Sequence, residues 1–521
     1  LPAVAEGVVK VAASDRAADL WTASAGERRP ALGTETPLPD VSALYERARA
    51  AFAAWGITAP RERVRVLARL RLLVVERLEE LARVIAEATG KPAFEAMTTE
   101  LLPVLDTLAW LEKHAPRVLR RRRMPTPVFF FGKTSYVEYR PRGVVLVISP
   151  WNYPFQLSVI PVVTALAAGN TVILKPSEVT PAVGRLIEDL FAQAELPAGV
   201  VQVAHGDGRV GAALVAAGPD YIFFTGSVAT GRRIQEEAAK RLIPTTLELS
   251  GHDAMIVFAD APLERAVRGA AWGAFMNCGQ TCVAVERLYV ERSVYGEFVR
   301  RLAREAERLA RQGREAGDLG RMTWDRQVEI VRRHVEDALA KGATLVAGEP
   351  PEKWRGRFIP PIVLAGVTDD MLVAQEETFG PVVTVRPFDS EDEAVALVNR
   401  SAYGLSASVW SGNVERAQRI ASRLETGSVS INDVLVTLGN PNLPFGGVKQ
   451  SGLGAYHGEA GLKAFSHEKA VMRDWLGRKT ELHWFPYEGK MEPFSTLLRL
   501  YFGPRRRWLS LVWTYSALRR R

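Results

Sequence analysis

Cysteine is scarce in this chain: Cys278 and Cys282 are the two among 521 residues. Two sulfurs cannot build a disulfide framework, and they are too few for a structural zinc when no histidine pair with ligand spacing stands near them. The seven histidines are scattered, and a cysteine protease would need one of them held beside the thiol by an amide or carboxylate. Low-complexity tracts and internal repeats are missing as well. Residues 1–10 carry an acid before a base and lack the long apolar core of a signal peptide. A soluble, cytoplasmic protein of a reducing compartment is expected, with no metal site.

What is present is ordinary globular material. The chain is 47% hydrophobic and 24% charged, and long enough for two or three domains. Its net charge of +8 is unevenly spread. Residues 471–521 hold 11 Lys+Arg and 4 Asp+Glu, a net of +7, so the preceding body is near neutral. That argues against nucleic-acid binding, which needs a basic face on the folded body. The run Arg117 to Arg123 reads as a solvated helix end.

Residues 41–123 read as helical. Over 63–88, Val, Leu and Ile recur at three- and four-residue spacing, and Thr89-Gly90-Lys91-Pro92 stops the stripe. The pattern changes after 136. Val144 to Ile148, Thr171 to Lys175, Val200 to Val203 and Tyr221 to Phe224 are short apolar runs separated by helical segments. Strands apolar on both faces and alternating with helices imply a parallel sheet covered on both sides, with ligands at the carboxyl ends of its strands. A second alternation fills 251–447, with strands expected at Val285 to Val290, Thr344 to Val346, Val382 to Val385 and Ser406 to Trp410. The fold class is therefore α/β, two doubly wound lobes with a cleft between them.

The tail after 471 differs in kind. It holds four of twelve tryptophans, Trp475, Trp484, Trp508 and Trp513. Its apolar run 508–518 is about half of what spans a bilayer. Flanked by Arg505-Arg506-Arg507 and Arg519-Arg520-Arg521, it could lie peripherally on an anionic membrane. Docking on the protein itself or on a neighbouring subunit is the favoured reading.

Seven motifs then stand in order. Pro150-Trp151-Asn152-Tyr153-Pro154-Phe155, Lys175-Pro176-Ser177-Glu178, Phe224-Thr225-Gly226-Ser227 and Thr246-Leu247-Glu248-Leu249-Ser250-Gly251 come first. Phe275-Met276-Asn277-Cys278-Gly279-Gln280-Thr281-Cys282, Glu377-Thr378-Phe379-Gly380-Pro381 and Pro444-Phe445-Gly446-Gly447 follow. Together, over roughly 40–470, they resemble the motifs of the aldehyde dehydrogenase superfamily. The chemistry suits the residue types. An aldehyde has no leaving group but hydride, so a thiolate adds first and the collapsing adduct expels hydride.

The resemblance implies Cys282 as nucleophile, Asn152 with the Cys282 backbone N–H as oxyanion donors, and Glu248 as the base that activates the hydrolytic water. It implies NAD, with NADP also compatible, held by Trp151, Lys175, Ser177, Glu178, Gly226, Ser227, Gly231, Leu249, Glu377 and Phe379. Glu178 near a ribose 2′-OH favours NAD, and Lys175 softens that preference. A rival site is Gly206-Asp207-Gly208-Arg209-Val210-Gly211, which fits G-x-G-x-x-G but lacks the acidic residue about 20 positions on. Ser250 and His252 stand where the family usually has Gly and Lys. The stretch 451–458 looks most like the class 3 branch, which accepts medium or long aliphatic and aromatic aldehydes.

The implied domains are 1–123 with 144–250 for cofactor binding, 251–447 for catalysis, 124–143 with 448–470 for oligomerisation as a homodimer or homotetramer, and 471–521 as an extension. The loop 434–442 is expected to border the substrate tunnel, and Cys278 to be a packing residue. Two rival readings are an acylating enzyme using coenzyme A, against which Glu248 argues, and a non-catalytic protein that keeps the fold.

Overall fold

A computed structural model describes residues 39–313 and 317–504. Asp40 opens the helix Val41–Trp55, the first among the described residues, its side chain accepting the Ala43 N–H. The stripe over 63–88 divides at Arg77 into helices Pro60–Glu76 and Leu78–Thr89. Leu67, Leu70 and Val74 on the first, and Leu81, Ala82 and Ile85 on the second, are buried in one cluster. Each of the Leu, Ile and Val side chains among them contributes about 1.5–3 kcal/mol on leaving water. Gly90 then turns left-handed at φ 86°, where a Cβ would lie 2.9 Å from the Arg321 carbonyl oxygen. A π-helical turn, Met97–Leu101, leads into helix Leu102–Val118.

The first sheet has six strands in the order Gly452–Leu453, Thr245–Glu248, Tyr221–Thr225, Val144–Ile148, Thr171–Lys175, Val201–Val203. All neighbours are parallel except Gly452–Leu453 against Thr245–Glu248. The helix Gln156–Ala168, buried at every residue, covers this sheet. The second sheet runs Thr344–Ala347, Ile362–Ala365, Val382–Phe388, Val285–Glu291, Asp253–Val257, Ser406–Trp410, Ser428–Ile431. It is parallel but for the antiparallel edge strand Thr344–Ala347. Only residues 249–252 connect the strand ending at Glu248 to the strand starting at Asp253. The chain therefore changes sheets through the loop that carries Glu248, Leu249 and Ser250.

A second compact unit comprises Arg121–Glu138 and Lys469–Arg521. Arg122–Met124 pairs antiparallel with Lys133–Pro141, whose other neighbour is Ser466–Asp474. The basic run is thus not one helix end: the helix stops at Val118, and exposed Arg122 and Arg123 lie on an edge strand. Arg121 pairs with Glu138 at 2.6 Å and lies over the Tyr136 ring. Within the expected oligomerisation segment 448–470, residues 448–453 make strand pairings of their own. Val448–Lys449 pairs with Tyr403–Gly404, and Gly452–Leu453 pairs with the strand of Glu248. Gly452, at φ 150°, permits that approach, because a Cβ there would collide with the Leu247 carbonyl.

In the extension, helix Met491–Phe502 buries Leu497 against Phe129, Leu482, Phe494, Leu500 and Tyr501. This much of the tail is docked within its own unit. Trp508, Trp513 and the six terminal arginines lie outside the described residues. Among the described residues no helix is long and apolar enough to cross a membrane.

Candidate active site

Cys282 sits in a constrained turn between helix Leu263–Phe275 and strand Val285–Glu291. Asn277 (φ 51°), Cys278 (φ 52°) and Gly279 (φ 68°) are left-handed in succession, a conformation that side chains resist. The turn is held from within and without. Gln280 Nε2 donates to the Asn277 carbonyl at 2.8 Å. Asn277 Nδ2 donates to the carbonyls of Gln280 (3.1 Å) and Asn152 (3.0 Å). Gly279 has no alternative, since a Cβ would strike the Gly380 carbonyl. Cys278 is buried in the hydrophobic cluster of the second sheet, while half-buried Cys282 packs on that of the first.

Asn152 is fixed from behind by residues the sequence did not signal. Its carbonyl also accepts from Lys91 Nζ at 3.0 Å, and Lys91 forms a fully buried ion pair with Glu100 at 2.8 Å. Glu100 in turn accepts the N–H groups of Phe155 (2.8 Å) and Gln156 (3.2 Å). All of its charge is compensated, as burial requires. The Asn152 side chain gives one N–H to the Gln280 carbonyl at 3.0 Å, which leaves its second N–H for another acceptor. Lys91 read in sequence as part of a helix stop. Its role as a strut needs the contact between 91, 100 and 152, which only folding creates.

Glu248 ends its strand buried, and neither carboxylate oxygen has a hydrogen-bond partner among the described residues. Burial pushes its carboxyl well above the ordinary range. Burial also raises the Cys282 thiol, helped by the carboxylates of Glu377, Asp253 and Glu248. Both shifts favour the neutral forms at rest, a thiol and a carboxylic acid, and Glu248 becomes a proton acceptor only once it is ionised. Glu377 accepts the Gly251 N–H at 2.9 Å and a hydrogen bond from the Ser250 side chain, and burial lifts it to about 7. Glu286, lifted to about 8 by burial and then by Glu377, accepts the N–H groups of Thr378 (2.9 Å) and Phe379 (2.8 Å). It thereby braces Phe379 at φ 52°. The two departures from the family pattern are accommodated: Ser250 serves Glu377, and buried His252 sets Nε2 3.2 Å from the Val373 carbonyl.

Two cavities meet at the thiol. The wider, about 600 Å³, is lined by Trp151, Asn152, Lys175, Glu178, Gly226, Ser227, Glu248, Leu249, Cys282, Glu377 and Phe379. Ser227 caps helix Val228–Ala239, its Oγ accepting the Thr230 N–H at 3.3 Å, so free N–H groups face the cavity. Lys175 pairs with Glu178 at 2.7 Å. The Trp151 ring stands edge-on to Phe379, centroids 5.5 Å apart. Two expected residues are not in the lining. Gly231 is buried in the helix, where a Cβ would press on Leu249. Ser177 is buried with its Oγ accepting the Val179 N–H. Gly208 and Gly211 of the rival glycine motif do line this cavity, along with Arg233, Trp324 and Gln327. Asp207 caps the short helix behind them.

The second cavity is closed and small, about 20 Å³. Tyr153, Leu157, Leu405, Leu438, Phe445 and Tyr456 wall it beside Glu248, Thr281 and Cys282, and among the described residues no Lys or Arg lines it. Leu438 comes from the loop 434–442. The Tyr153 hydroxyl and Thr281 Oγ1 are 2.6 Å apart. A broader surface basin of about 1010 Å³ around Gly90, Arg321 and Trp354 is lined by none of Cys282, Glu248 or Asn152.

A cysteine turn, a buried carboxylate without a partner among the described residues and a helix N-terminus thus border one polar cavity. The aldehyde dehydrogenase family profile matches residues 32–471, and the chain belongs to that family. It is 47% identical over 459 residues to the 4,4'-diapolycopene aldehyde oxidase of Methylomonas sp, covering 88% of this chain and 86% of that one. It is 38% identical over 436 residues to a putative succinate-semialdehyde dehydrogenase (NADP(+)) of Mycolicibacterium smegmatis, covering 83% and 84%. An NAD+ complex of aldehyde dehydrogenase from Bacillus cereus superposes with TM-score 0.79 at 34% identity, covering 84% of this chain and 89% of that one.

Proposed function

We propose that this enzyme oxidises a long apolar aldehyde to its carboxylic acid with NAD or NADP, through a thioester on Cys282. The observation that carries the reading is the meeting of Cys282, unpartnered Glu248 and the Asn152 amide where the two cavities join. The wide cavity suits a dinucleotide: a capped helix N-terminus for the phosphates, Glu178 with Lys175 for the adenosine ribose, and Glu377 for the second ribose. The bound nicotinamide supplies a hydride acceptor, and its positive charge favours thiolate over thiol.

The chain's own groups do the rest. The Cys282 proton passes to Glu248, directly or through water, and the S–C bond forms as the carbonyl π pair moves to oxygen. The second Asn152 N–H and the Cys282 backbone N–H hold that oxyanion. When the C–H electron pair departs, the C=O bond re-forms and leaves a thioester. Glu248 gives that first proton to solvent and then takes one from water as the hydroxyl adds to the thioester carbonyl; the adduct collapses, the C–S bond breaks, and the departing Cys282 thiolate recovers the proton from Glu248. Aldehyde, water and oxidised cofactor become acid, reduced cofactor and one proton.

The apolar chamber supports the substrate class. Succinate semialdehyde carries a carboxylate, and no cation among the described residues lines the chamber to receive it. The relative named for diapolycopene aldehyde, at 47% identity, points the same way, as does the resemblance of 451–458 to the class 3 branch. Residues 124–143 and 448–470 are proposed to serve assembly as a dimer or tetramer, residues 1–123 with 144–250 to bind the cofactor, and residues 251–447 to form the catalytic domain.

A panel from acetaldehyde and succinate semialdehyde to decanal tests this, followed by cofactor reduction at 340 nm. The expected result is a kcat/KM at least about tenfold higher for decanal than for succinate semialdehyde, since an unpaired buried carboxylate is costly. The reverse order would reject the substrate class.

A further inference from the structure

The apolar chamber beside Cys282 is too small to hold an aldehyde of any length. At about 20 Å³ it has room for no more than a water-sized group, whereas an organic ligand of ordinary size needs about 300 Å³ or more. Part of its wall therefore moves before a long aldehyde reaches the sulfur from this side. Most of the wall is fixed. Gln156 and Leu157 lie on the helix that is buried at every residue. Phe445 and Tyr456 exchange two backbone hydrogen bonds, each at 2.7 Å. Leu249 donates its N–H to the Ser451 carbonyl, and the Tyr153 hydroxyl is tied to Thr281.

Leu438 is held differently. It belongs to the loop 432–444, and its N–H bonds the Leu435 carbonyl of the same loop at 3.2 Å. Gly439 bonds the Val436 carbonyl in the same way, so the segment is a set of turns closed on itself. Val436 is 48% exposed and Leu443 43%. At the near end, the Asn432 side chain is anchored to the N–H and the carbonyl of Ser411 at 3.0 and 2.9 Å. Leu435, at φ 61°, sits in a left-handed conformation that a leucine resists. A change of its backbone releases strain instead of adding it.

At the far end the loop is fastened to a distant helix. Trp110, on helix Leu102–Val118, donates its indole N–H to Asn442 Oδ1 at 2.8 Å. The Trp110 ring is buried and stacks on His114, with centroids 4.9 Å apart, while Asn442 is exposed. Asn440 Oδ1 accepts both the backbone N–H and the Nδ2–H of Asn442, each at 3.0 Å. That turns the Asn442 oxygen toward the indole.

We infer that loop 432–444 is a lid over the apolar chamber, with Leu438 as its plug, Leu435 as its hinge and the Trp110–Asn442 hydrogen bond as its latch. Trp110 and Asn442 thereby set how readily a bulky aldehyde reaches Cys282, although neither touches the reacting atoms. The role in substrate choice rests on the function proposed above; the latch itself acts on any bulky molecule. Loss of one hydrogen bond shifts an open–closed equilibrium about three- to tenfold.

The test is labelling of Cys282 under saturating NAD, which fills the wide cavity and leaves the chamber side as the route. N-phenylmaleimide is the bulky probe and hydrogen peroxide the small one, with modification of Cys282 followed by fragment-ion mass spectrometry. Trp110→Phe keeps the ring and removes the donor. It should speed maleimide labelling about three- to tenfold and leave the peroxide rate unaltered. Asn442→Ala should match it, and the double variant should be no faster than either single one, because both remove the same bond. Asn442→Asp keeps an acceptor and should label at the wild-type rate. Should Trp110→Phe not fold, Asn442→Ala and Asn442→Asp give the same contrast from the exposed loop. Unaltered maleimide rates, equal acceleration with peroxide, or single effects that multiply in the double variant would overturn the latch. Faster labelling without turnover of decanal would support the lid and count against the proposed substrate.

Discussion

The two cavities that meet at Cys282 differ in almost every respect except their shared wall. One is about 600 Å³ and carries Lys175, Glu178, Ser227 and Glu377; the other is about 20 Å³ and is walled mainly by Leu and aromatic residues. Leu157, Thr225, Glu248, Leu249 and Cys282 border both. A polar ligand with phosphates has helix N–H groups and charged partners on one side only. The lining of the other is mainly apolar, although its present volume is no more than a water-sized group needs. The proposed division of labour by side rests on that difference in lining, with Cys282 and Glu248 on the shared wall.

That division can be broken from either side. The larger effect is expected from Leu438→Ala, which opens the narrow chamber alone. The ratio of kcat/KM for a bulky over a small aldehyde should rise about tenfold, the order that one or two methylenes decide in an apolar pocket. NAD(P) affinity, measured by fluorescence titration, should be unchanged. A matching loss of cofactor affinity would mean that the two cavities are not independent.

The smaller effect belongs to the wide cavity. Glu377, raised to about 7 by burial, becomes an ionised acceptor only as pH rises through that value. Cofactor affinity is expected to improve a few-fold between pH 6 and 8, and Glu377→Gln should flatten the profile. Stability runs the other way. A carboxyl raised in the fold favours the folded state below the ordinary carboxylate range, and that contribution is lost as pH rises through about 7 for Glu377 and about 8 for Glu286. Thermal melts in the same buffers check that sign.

The parts of this architecture that a local pattern encodes were legible in the sequence. Val144–Ile148, Thr171–Lys175 and Ser406–Trp410 form strands over the expected residues, because each is a short run apolar on both faces. The cysteine turn and the lining residues Glu178, Gly226 and Glu377 sat in recognisable motifs. What escaped depends on contacts between distant segments. Lys91 and Glu100 brace Asn152 from another part of the chain. The break at Arg77 leaves the helical period unaltered on both sides. Gly208 and Gly211 reach the same cavity as Gly226 because Val201–Val203 and Tyr221–Thr225, parallel and with two strands between them in one sheet, bring both turns to the same end of it. Ser250 drew notice as a departure, yet its tie to Glu377 needed the fold.

The measurement that bears most directly on the shared wall is intact-protein mass spectrometry of Glu248→Gln mixed with decanal and NAD(P). Loss of the base should slow hydrolysis roughly 10²–10⁴-fold, so one equivalent of reduced cofactor should appear in a burst and an acyl group should accumulate on Cys282. The adduct should be absent in Glu248→Gln/Cys282→Ala. A burst with no adduct on Cys282, or undiminished steady turnover by Glu248→Gln, would contradict the roles given to both residues.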